Sequence, residues 1–191
     1  MDQKHMRAGL RLADVKRWNM VRTIRDQSVM EHSASVGFIA ARLAEILGKD
    51  PMQAMYWGMM HDIDEDTTGD MPSHVKAEIR RRGVEVNDMA EFDRVPSEFR
   101  NIIKMADRLE GIFWLGEYRH GGHANWVLSD IEQSASIFLE QLEDRYVAAY
   151  RTVWAELNDD IRPDFSFGSD KEALRGHLSF YASGNERSKA A

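Results

Sequence analysis

The sequence of 191 residues contains no cysteine. Disulfide scaffolds, thiolate zinc sites, iron–sulfur clusters and cysteine nucleophiles are therefore excluded. No apolar run approaches the roughly 18 residues of a membrane span. Residues 1–11 are polar and contain no signal-peptide core. We therefore expect a cytoplasmic protein without a membrane partner.

Basic side chains are outnumbered by acidic ones. The chain has 25 Lys and Arg against 32 Asp and Glu, a formal net charge of -7. Binding to a nucleic-acid polymer needs a basic face, so this balance argues against nucleic acid as a partner. A small anionic substrate is compatible with it, because a few arginines can bind a phosphate inside an acidic protein.

Proline and glycine are also scarce, with 4 and 13 residues. The segments between them are long and follow a 3.6-residue apolar period, without strand alternation or hairpin dipeptides. This pattern predicts an all-α fold, with a single domain over 1–182 and a polar, mobile tail at 183–191. Helices are predicted over 4–15, 29–47, 51–62, 73–81, 97–114, 125–157 and 171–180, with a loop over 116–123.

An imidazole lies at the start of the apolar stripe of the second predicted helix. The stripe of Val36, Ile39, Leu43 and Ile46 extends backwards to His32. A buried imidazole needs a hydrogen-bond partner or a metal ion. Taken alone, this pattern favours a satisfied core histidine over a metal ligand.

The helix predicted over 51–62 ends in the pair His61-Asp62. Adjacent helical side chains point about 100° apart, so both can reach one ion only where the helix ends. Four further carboxylates follow this pair, those of Asp64, Glu65, Asp66 and Asp70. Carboxylates so close together repel one another unless a cation or solvent intervenes. A bound cation and a solvated acidic loop explain this acidic cluster equally well.

A third polar residue lies on an apolar helix face, where Asp107 shares its spacing with Ile103, Glu110 and Trp114. A buried aspartate is costly unless a cation or hydrogen-bond donors pair with it. Together, two imidazoles and two carboxylates suit a divalent ion such as Zn, Mn, Co, Ni or Fe. Four protein ligands leave one or two positions for water, as in hydrolytic sites.

The order His32, His61-Asp62 and Asp107 on three separate helices resembles the HD-domain superfamily of metal-dependent phosphohydrolases. The likeness is greatest to its small bacterial 5'-deoxynucleotidase branch. The similar segments lie at 16–18, 28–33, 61–65, 68–72 and 104–109. The resemblance implies a single compact helical bundle in which these four residues hold a central divalent ion, one of Co, Mn, Zn, Ni, Fe or Mg.

Two acidic residues take catalytic roles by the same resemblance. Glu65 would orient or deprotonate the attacking water, and Asp70 would assist it or hold a second ion. Glu65 follows Asp62 by about one helical turn, so it can face a metal-activated water without replacing a ligand.

The resemblance also implies a set of substrate-binding residues. Arg17 would bind the phosphate, since guanidinium offers a planar fork to phosphate oxygens. Trp18 would border the sugar and base with a flat apolar surface. Met20 and Pro72 would line the pocket, and Lys76 would add positive charge at its mouth.

The implied reaction converts a deoxynucleoside monophosphate to deoxynucleoside and phosphate. The alternative is a deoxynucleoside triphosphate triphosphohydrolase of the dATPase type, which resembles phage members of the branch and releases triphosphate. Extra cations at Lys76, Arg80, Arg81 and Arg82 favour a longer phosphate chain, whereas the similar segments favour the monophosphatase. A non-catalytic nucleotide sensor and a structural helical module are disfavoured by the complete ligand set. The apolar C-terminal helices suit a homodimer or higher homo-oligomer.

Overall fold

The computed structural model describes residues 3–84 and 90–159. In those residues all regular structure is helical, apart from isolated bridges between Lys16 and Ser28 and between Thr23 and Arg119. The all-α prediction is confirmed. The helices are α1 Gln3–Arg11, α2 Val29–Ile46, α3 Pro51–Met60, α4 Glu65–Thr68, α5 Ser73–Arg81, α6 Ala90–Asp93, α7 Ser97–Tyr118, α8 Gly122–Leu139 and α9 Asp144–Asn158.

The described residues up to Glu156 belong to one compact unit. The helix predicted over 171–180 and the polar tail at 183–191 lie outside the described residues. One domain over 1–182 therefore stays a prediction. None of the helices that the structure describes is long and apolar enough to cross a membrane.

Local sequence determines where α2 and α3 begin. Ser28 Oγ accepts a hydrogen bond from the Glu31 amide, and the Glu31 carboxylate accepts one from the Ser28 amide over 2.9 Å. This reciprocal capping box satisfies two amides that the first helical turn leaves unpaired. At α3, Asp50 caps the Met52 amide over 2.9 Å and Pro51 occupies the first turn. The first of these caps places His32 one turn inside α2.

Two glycines allow α2 and α3 to cross in backbone contact. A Cβ built on Gly58 of α3 would lie 2.8 Å from the Gly37 Cα of α2, and one built on Gly37 would lie 2.9 Å from Met59 Cγ. Any larger side chain at either position would force the helices apart. The close crossing brings the rings of His32 and His61 to a centroid separation of 5.2 Å.

Helix α7 supplies the largest part of the core. It packs against α2, α3 and α8, and it carries Asp107 and Glu110 beside its apolar face. Burial of this face fixes the rotation of α7 and turns both acidic residues towards α2. Its buried apolar side chains are Phe99, Ile102, Ile103, Met105, Ala106, Leu109, Ile112, Trp114 and Leu115.

Residues 12–28, which we call the α1–α2 segment, run across the end of α7. The Ile24 amide donates a hydrogen bond to the Tyr118 carbonyl over 2.9 Å, and the His120 amide donates one to the Arg22 carbonyl over 2.9 Å. These bonds tie an otherwise irregular segment to the C-terminal end of α7. The segment carries Trp18 to the site.

The helix predicted over 125–157 is wrong, because the chain turns at 140–143 between α8 and α9. The Gln141 and Leu142 amides bond to Phe138 and Leu139 in the shorter i to i−3 pattern, which ends the helix. No glycine or proline marks this turn, and the apolar spacing continues through Tyr146. The predicted loop at 116–123 is also too long, since α7 reaches Tyr118 and α8 begins at Gly122.

Candidate active site

His32 is the most deeply buried member of the site, with 0% of its surface exposed. Its Nδ1 atom lies 2.6 Å from the Glu110 carboxylate Oε2. Because an ionised carboxylate only accepts hydrogen bonds, Nδ1 carries the hydrogen of this pair. The other ring nitrogen, Nε2, has no hydrogen-bond partner, so it is the atom left to bind a metal ion.

His61 follows the last residue of α3, and its ring is also held by a hydrogen bond from Nδ1. Its Nδ1 donates a hydrogen bond to the Gly58 carbonyl oxygen over 2.7 Å. Its Nε2 is buried and has no hydrogen-bond partner. Both imidazoles thus expose an Nε2 lone pair to the same space, with their tautomers set by a neighbouring acceptor.

Two carboxylates face these nitrogens. Asp62 Oδ2 lies 3.1 Å from His61 Nε2 and 3.5 Å from His32 Nε2. Asp107 Oδ1 lies 3.3 Å from His32 Nε2. Ligand atoms about 2.0–2.2 Å from a shared metal ion lie about 3.0–3.5 Å from one another. The spacing therefore fits a metal site better than a set of hydrogen bonds.

The donor chemistry agrees with this geometry. His32, His61 and Asp62 each offer a ligand atom, and these atoms all lie within 4.8 Å of one another. Two neutral imidazoles and carboxylate oxygens suit Zn²⁺ and other first-row divalent ions. The residues present can therefore hold such an ion, with Asp107 adjacent as a fourth donor.

The electrostatics of the cluster favour a bound cation. Burial opposes a charge on either imidazole, but the nearby carboxylates outweigh it and raise the pKa of both His32 and His61. Burial likewise opposes ionisation of the carboxyls, yet the imidazoles lower the pKa of Asp107 to about 2 and that of Asp62 well below its usual range. The cluster therefore keeps its carboxylates ionised and attracts positive charge.

Glu65 lies in the first turn after this cluster and is 3% exposed. Burial, Asp62 and Asp70 raise its pKa to about 8, while Lys76 opposes the rise. Lys76 Nζ lies 3.3 Å from Glu65 Oε1, and Glu65 Oε2 is buried without a hydrogen-bond partner. A carboxylate with a pKa near neutrality and one unpartnered oxygen has the properties of a general base.

Asp70 contacts the α1–α2 segment. Its Oδ2 accepts a hydrogen bond from the Trp18 amide over 3.2 Å. Trp18 has a φ of 60°, in the left-handed region that a bulky residue rarely adopts. Strain of this kind persists only where surrounding contacts hold it, and Asp70 supplies one of them. Asp70 thus contacts the backbone that carries the Trp18 ring, and its expected part at the attacking water or a second ion stays a prediction.

Arg17 lies among the acidic residues of the site. Burial opposes its charge, but Glu110, Asp70 and Asp107 outweigh this and raise its pKa. Its guanidinium lies 5.1 Å from the centre of the Trp18 ring, and its Nε is buried without a hydrogen-bond partner. An arginine with an unsatisfied donor beside a metal site is suited to binding phosphate.

Other predicted substrate residues are less closely tied to the site. Met20 has a 57% exposed side chain in the α1–α2 segment, and Pro72 precedes α5. In the described residues, neither forms a hydrogen bond with the cluster. Of the extra cations, Arg81 and Arg82 pair with Glu78 over 2.8 and 2.7 Å, which weakens the argument for a longer phosphate chain.

Sequence reasoning did not assign a role to Glu110 or Gln27. Glu110 binds His32 Nδ1, and its other oxygen accepts a hydrogen bond from Gln27 Nε2 over 2.6 Å. In the sequence, the helical spacing of Glu110 with Asp107 is the feature that could have indicated a role for Glu110. Gln27 contacts a residue 83 positions away, and nothing in its local sequence indicates this.

Comparison with known proteins agrees with the geometry. Residues 4–91 match the family model described as 5'-deoxynucleotidase YfbR-like. The 5'-deoxynucleotidase ECA3034 of Pectobacterium atrosepticum is 31% identical over 196 residues, which covers 86% of this chain and 98% of that protein. The chain belongs to the YfbR-like family of HD phosphohydrolases. The predicted superfamily is confirmed by this family membership.

Relatives of this YfbR-like protein carry two different activity names. A 5'-deoxynucleotidase of Vibrio atlanticus is 33% identical over 53% of this chain, which spans 59% of the length of that relative. A dATP triphosphohydrolase of Salmonella phage PMBT28 is 28% identical over 78% of this chain and 86% of its own length. Family membership therefore leaves the choice between mono- and triphosphate substrates to other observations.

Solved structures support the fold of the YfbR-like chain. The cyanophage S-2L HD phosphohydrolase (DatZ), bound to dA and one catalytic Zn²⁺ ion, superposes with a TM-score of 0.68 at 21% identity. The match covers 82% of this chain and 95% of that one. A conserved hypothetical protein from Pyrococcus furiosus gives a TM-score of 0.58 at 20% identity. The likeness to the cyanophage HD phosphohydrolase confirms the predicted HD-domain fold.

Proposed function

We propose that this protein is a divalent-metal-dependent 5'-deoxynucleotidase, which hydrolyses a deoxynucleoside monophosphate to deoxynucleoside and phosphate. One observation carries the proposal. The Nε2 atoms of His32 and His61 are buried, lack hydrogen-bond partners and face a shared carboxylate over 3.5 and 3.1 Å. Such atoms are costly unless a ligand satisfies them, and a metal ion is the ligand that suits all three.

His32, His61, Asp62 and Asp107 are the residues that would hold the ion. When bound, a divalent cation supplies Lewis-acid stabilisation of phosphoryl oxygens and lowers the pKa of water. The ligands come from three separate parts of the chain, on α2, after α3 and on α7. The two buried imidazoles are held in place before any ion arrives by the hydrogen bonds of their Nδ1 atoms to Glu110 and to the Gly58 carbonyl.

Arg17 binds the phosphate of the substrate in this proposal. Its buried Nε has no protein partner, so a phosphate oxygen can accept its hydrogen. The neighbouring carboxylates keep the guanidinium charged and orient it. Trp18 beside it offers an aromatic face to the sugar or base, and Asp70 fixes the backbone from which that face projects.

Glu65 accepts the proton of the attacking water. The water oxygen forms a new bond to phosphorus and the bond from phosphorus to the 5'-oxygen breaks. The 5'-oxygen leaves as a hydroxyl by taking up the proton that Glu65 removed from the water, which returns Glu65 to its ionised form. A base with a pKa of about 8 is partly ionised at neutral pH and binds a proton strongly enough to take it from water. Lys76, 3.3 Å away, stabilises the ionised form.

The second candidate is a dATP triphosphohydrolase that releases triphosphate. The phage relative of that name, aligned over 86% of its length, and the fold shared with an HD phosphohydrolase bound to dA both favour it. Against it, the cations that would extend the phosphate site include Arg81 and Arg82, which are 74% and 71% exposed and paired with Glu78. The monophosphate therefore remains the favoured substrate.

Product identification separates the two candidates. The purified protein is loaded in turn with Mn²⁺, Co²⁺ and Zn²⁺ and given deoxy- and ribonucleotides from mono- to triphosphate. The proposal predicts inorganic phosphate from a deoxynucleoside monophosphate, and no turnover after chelation. Release of triphosphate from a deoxynucleoside triphosphate, with no phosphate released from any monophosphate, would establish the second candidate. No turnover of any nucleotide with any metal would contradict both.

A homodimer or higher homo-oligomer is proposed on separate grounds. Apolar side chains on the outer faces of α2 and α3 are exposed, with Phe38 at 68%, Met52 at 69% and Met59 at 49%. Exposed apolar surface of this kind is common in subunit contacts. Light scattering at several protein concentrations tests it, and a mass of 22.0 kDa throughout would contradict it.

A further inference from the structure

We propose that Gln27 is a positioning residue that couples the Trp18 ring to the metal-binding nitrogen of His32. The inference rests on the proposed function, because it assigns the metal to His32 and the nucleotide to Trp18. The inference adds a physical connection between the proposed metal site at His32 and the proposed nucleotide site at Trp18.

A continuous chain of hydrogen bonds carries the proposal. Trp18 Nε1 donates to Gln27 Oε1 over 2.8 Å, and Gln27 Nε2 donates to Glu110 Oε1 over 2.6 Å. The other oxygen of Glu110 accepts from His32 Nδ1 over 2.6 Å. This series of hydrogen bonds starts at Trp18, which forms the proposed substrate face, and ends at His32, a proposed metal ligand.

The Trp18 indole, which only donates, and the ionised Glu110 carboxylate, which only accepts, together determine the direction of every bond in this series. An indole N–H can only donate, so it requires the carbonyl oxygen of Gln27. The Gln27 amide nitrogen must then donate to Glu110, whose ionised carboxylate only accepts. His32 is therefore left to donate from Nδ1, which reserves Nε2 for the metal site. A flipped Gln27 amide would break two of these bonds at once.

Burial makes the chain rigid. Gln27 is 1% exposed, Glu110 is 3% exposed and His32 is 0% exposed. Water cannot readily replace a lost bond at such positions, so each break leaves a buried polar atom unsatisfied. A displacement of the Trp18 ring is thereby transmitted to the orientation of the Glu110 carboxylate and to His32.

The coupling is reciprocal by thermodynamic necessity. Metal bound at His32 stabilises one position of Glu110, Gln27 and the Trp18 indole. A nucleotide that packs on Trp18 in that position in turn binds more tightly to the metal-loaded protein. Gln27 thus links base recognition to assembly of the hydrolytic site.

Zn²⁺ titration of the metal-free protein tests the coupling without any turnover. Loss of a residue that orients a metal ligand typically weakens metal affinity 10- to 100-fold. We expect Gln27→Leu to raise the Zn²⁺ Kd about 10-fold by calorimetry. Trp18→Phe keeps an aromatic ring and removes only the first donor, and we expect it to raise the Kd about 5-fold. The matched controls Gln133→Leu and Trp126→Phe alter exposed residues of α8 and should leave the Kd unchanged.

A spectroscopic readout accompanies the titration. In ¹⁵N-labelled protein the Trp18 indole N–H signal should shift when Zn²⁺ binds to the wild type, and it should not respond in Gln27→Leu. Trp18→Phe provides the decisive Kd if Gln27→Leu does not fold. An unchanged Kd in Trp18→Phe, or a Trp18 signal that ignores Zn²⁺ in the wild type, would overturn the coupling. Failure of the wild type to bind Zn²⁺ would instead overturn the proposed function.

Discussion

Gly37 and Gly58 meet where α2 crosses α3, and a Cβ on Gly58 would lie 2.8 Å from the Gly37 Cα. This contact has a direct consequence for the site. His32 lies five residues before Gly37 on α2, and His61 bonds to the Gly58 carbonyl over 2.7 Å. The separation of the two imidazoles is therefore set by how closely these glycines approach.

Gly58→Ala should damage both stability and metal binding. The added methyl group meets backbone atoms that cannot move aside, so we expect a loss of about 1–3 kcal/mol in the free energy of unfolding. We also expect a weaker Zn²⁺ affinity, because α3 carries His61 away from His32. Denaturant unfolding and calorimetry measure the two effects. Gly116→Ala is the control, because nothing lies within 4 Å of a Cβ built on Gly116. If Gly116→Ala lowered the free energy of unfolding as much as Gly58→Ala, the close helix crossing would not be the cause.

His61→Ala should abolish metal-dependent phosphate release and leave the metal-free fold intact. The side chain makes one hydrogen bond at the end of a helix. Its removal therefore takes away a proposed metal ligand and disturbs little of the core packing. Metal content and phosphate release measure the first effect, and thermal unfolding in the presence of chelator measures the second. His120→Ala is the matched control, because His120 lies exposed after α7. Full activity of a metal-replete His61→Ala protein would refute the assignment.

Glu65 should make the stability of the metal-free protein depend on pH. Its pKa is raised from 4.5 to about 8, so between these values the folded state retains a proton that the unfolded chain has released. The free energy of unfolding therefore falls as pH rises through that window, by about 1.4 kcal/mol per pH unit from this group. Above about pH 8 the contribution stops changing.

Denaturant unfolding from pH 5 to 9 with chelator, in wild type and Glu65→Gln, isolates this contribution as the difference between the two slopes. Glu143→Gln is the control, because the Glu143 side chain is 69% exposed. Parallel pH profiles for wild type and Glu65→Gln would show that the Glu65 pKa is not raised.

Trp18→Ala should weaken deoxynucleotide binding more than it slows hydrolysis of a small phosphate ester. The ring lies beside Arg17 at 5.1 Å, where it can contact a base or sugar, whereas methyl phosphate has no ring to stack on it. We expect KM for a deoxynucleoside monophosphate to rise at least several-fold, in the range of about 1–3 kcal/mol given by base–aromatic stacking. Equal losses on both substrates would contradict a role in base recognition.

The sequence predicted the parts of the site that local rules control. The Ser28–Glu31 capping box and the Asp50-Pro51 start determine where α2 and α3 begin, and helical periodicity then turns His32 inward. His61-Asp62 at the end of a helix was recognisable for the same reason. The four proposed ligands therefore come from local patterns that happen to be compatible in space.

Contacts between distant residues could not be predicted in this way. Gln27 and Glu110 are 83 positions apart, and neither has a neighbour that signals the other. The break between α8 and α9 was missed because its apolar spacing continues across the turn without glycine or proline. The hydrogen bond that Asp70 accepts from the Trp18 amide could not be predicted either, because it depends on the path of an irregular segment.

Anomalous X-ray diffraction from crystals grown with Zn²⁺ or Mn²⁺ tests the central claim most directly. The account predicts one strong peak within bonding distance of His32 Nε2, His61 Nε2 and Asp62, with Asp107 as the fourth ligand. Soaking with chelator should remove the peak and, in solution, the hydrolysis of deoxynucleotides. A protein that hydrolyses deoxynucleotides while its ion binds elsewhere, or with no ion at these residues, would contradict it.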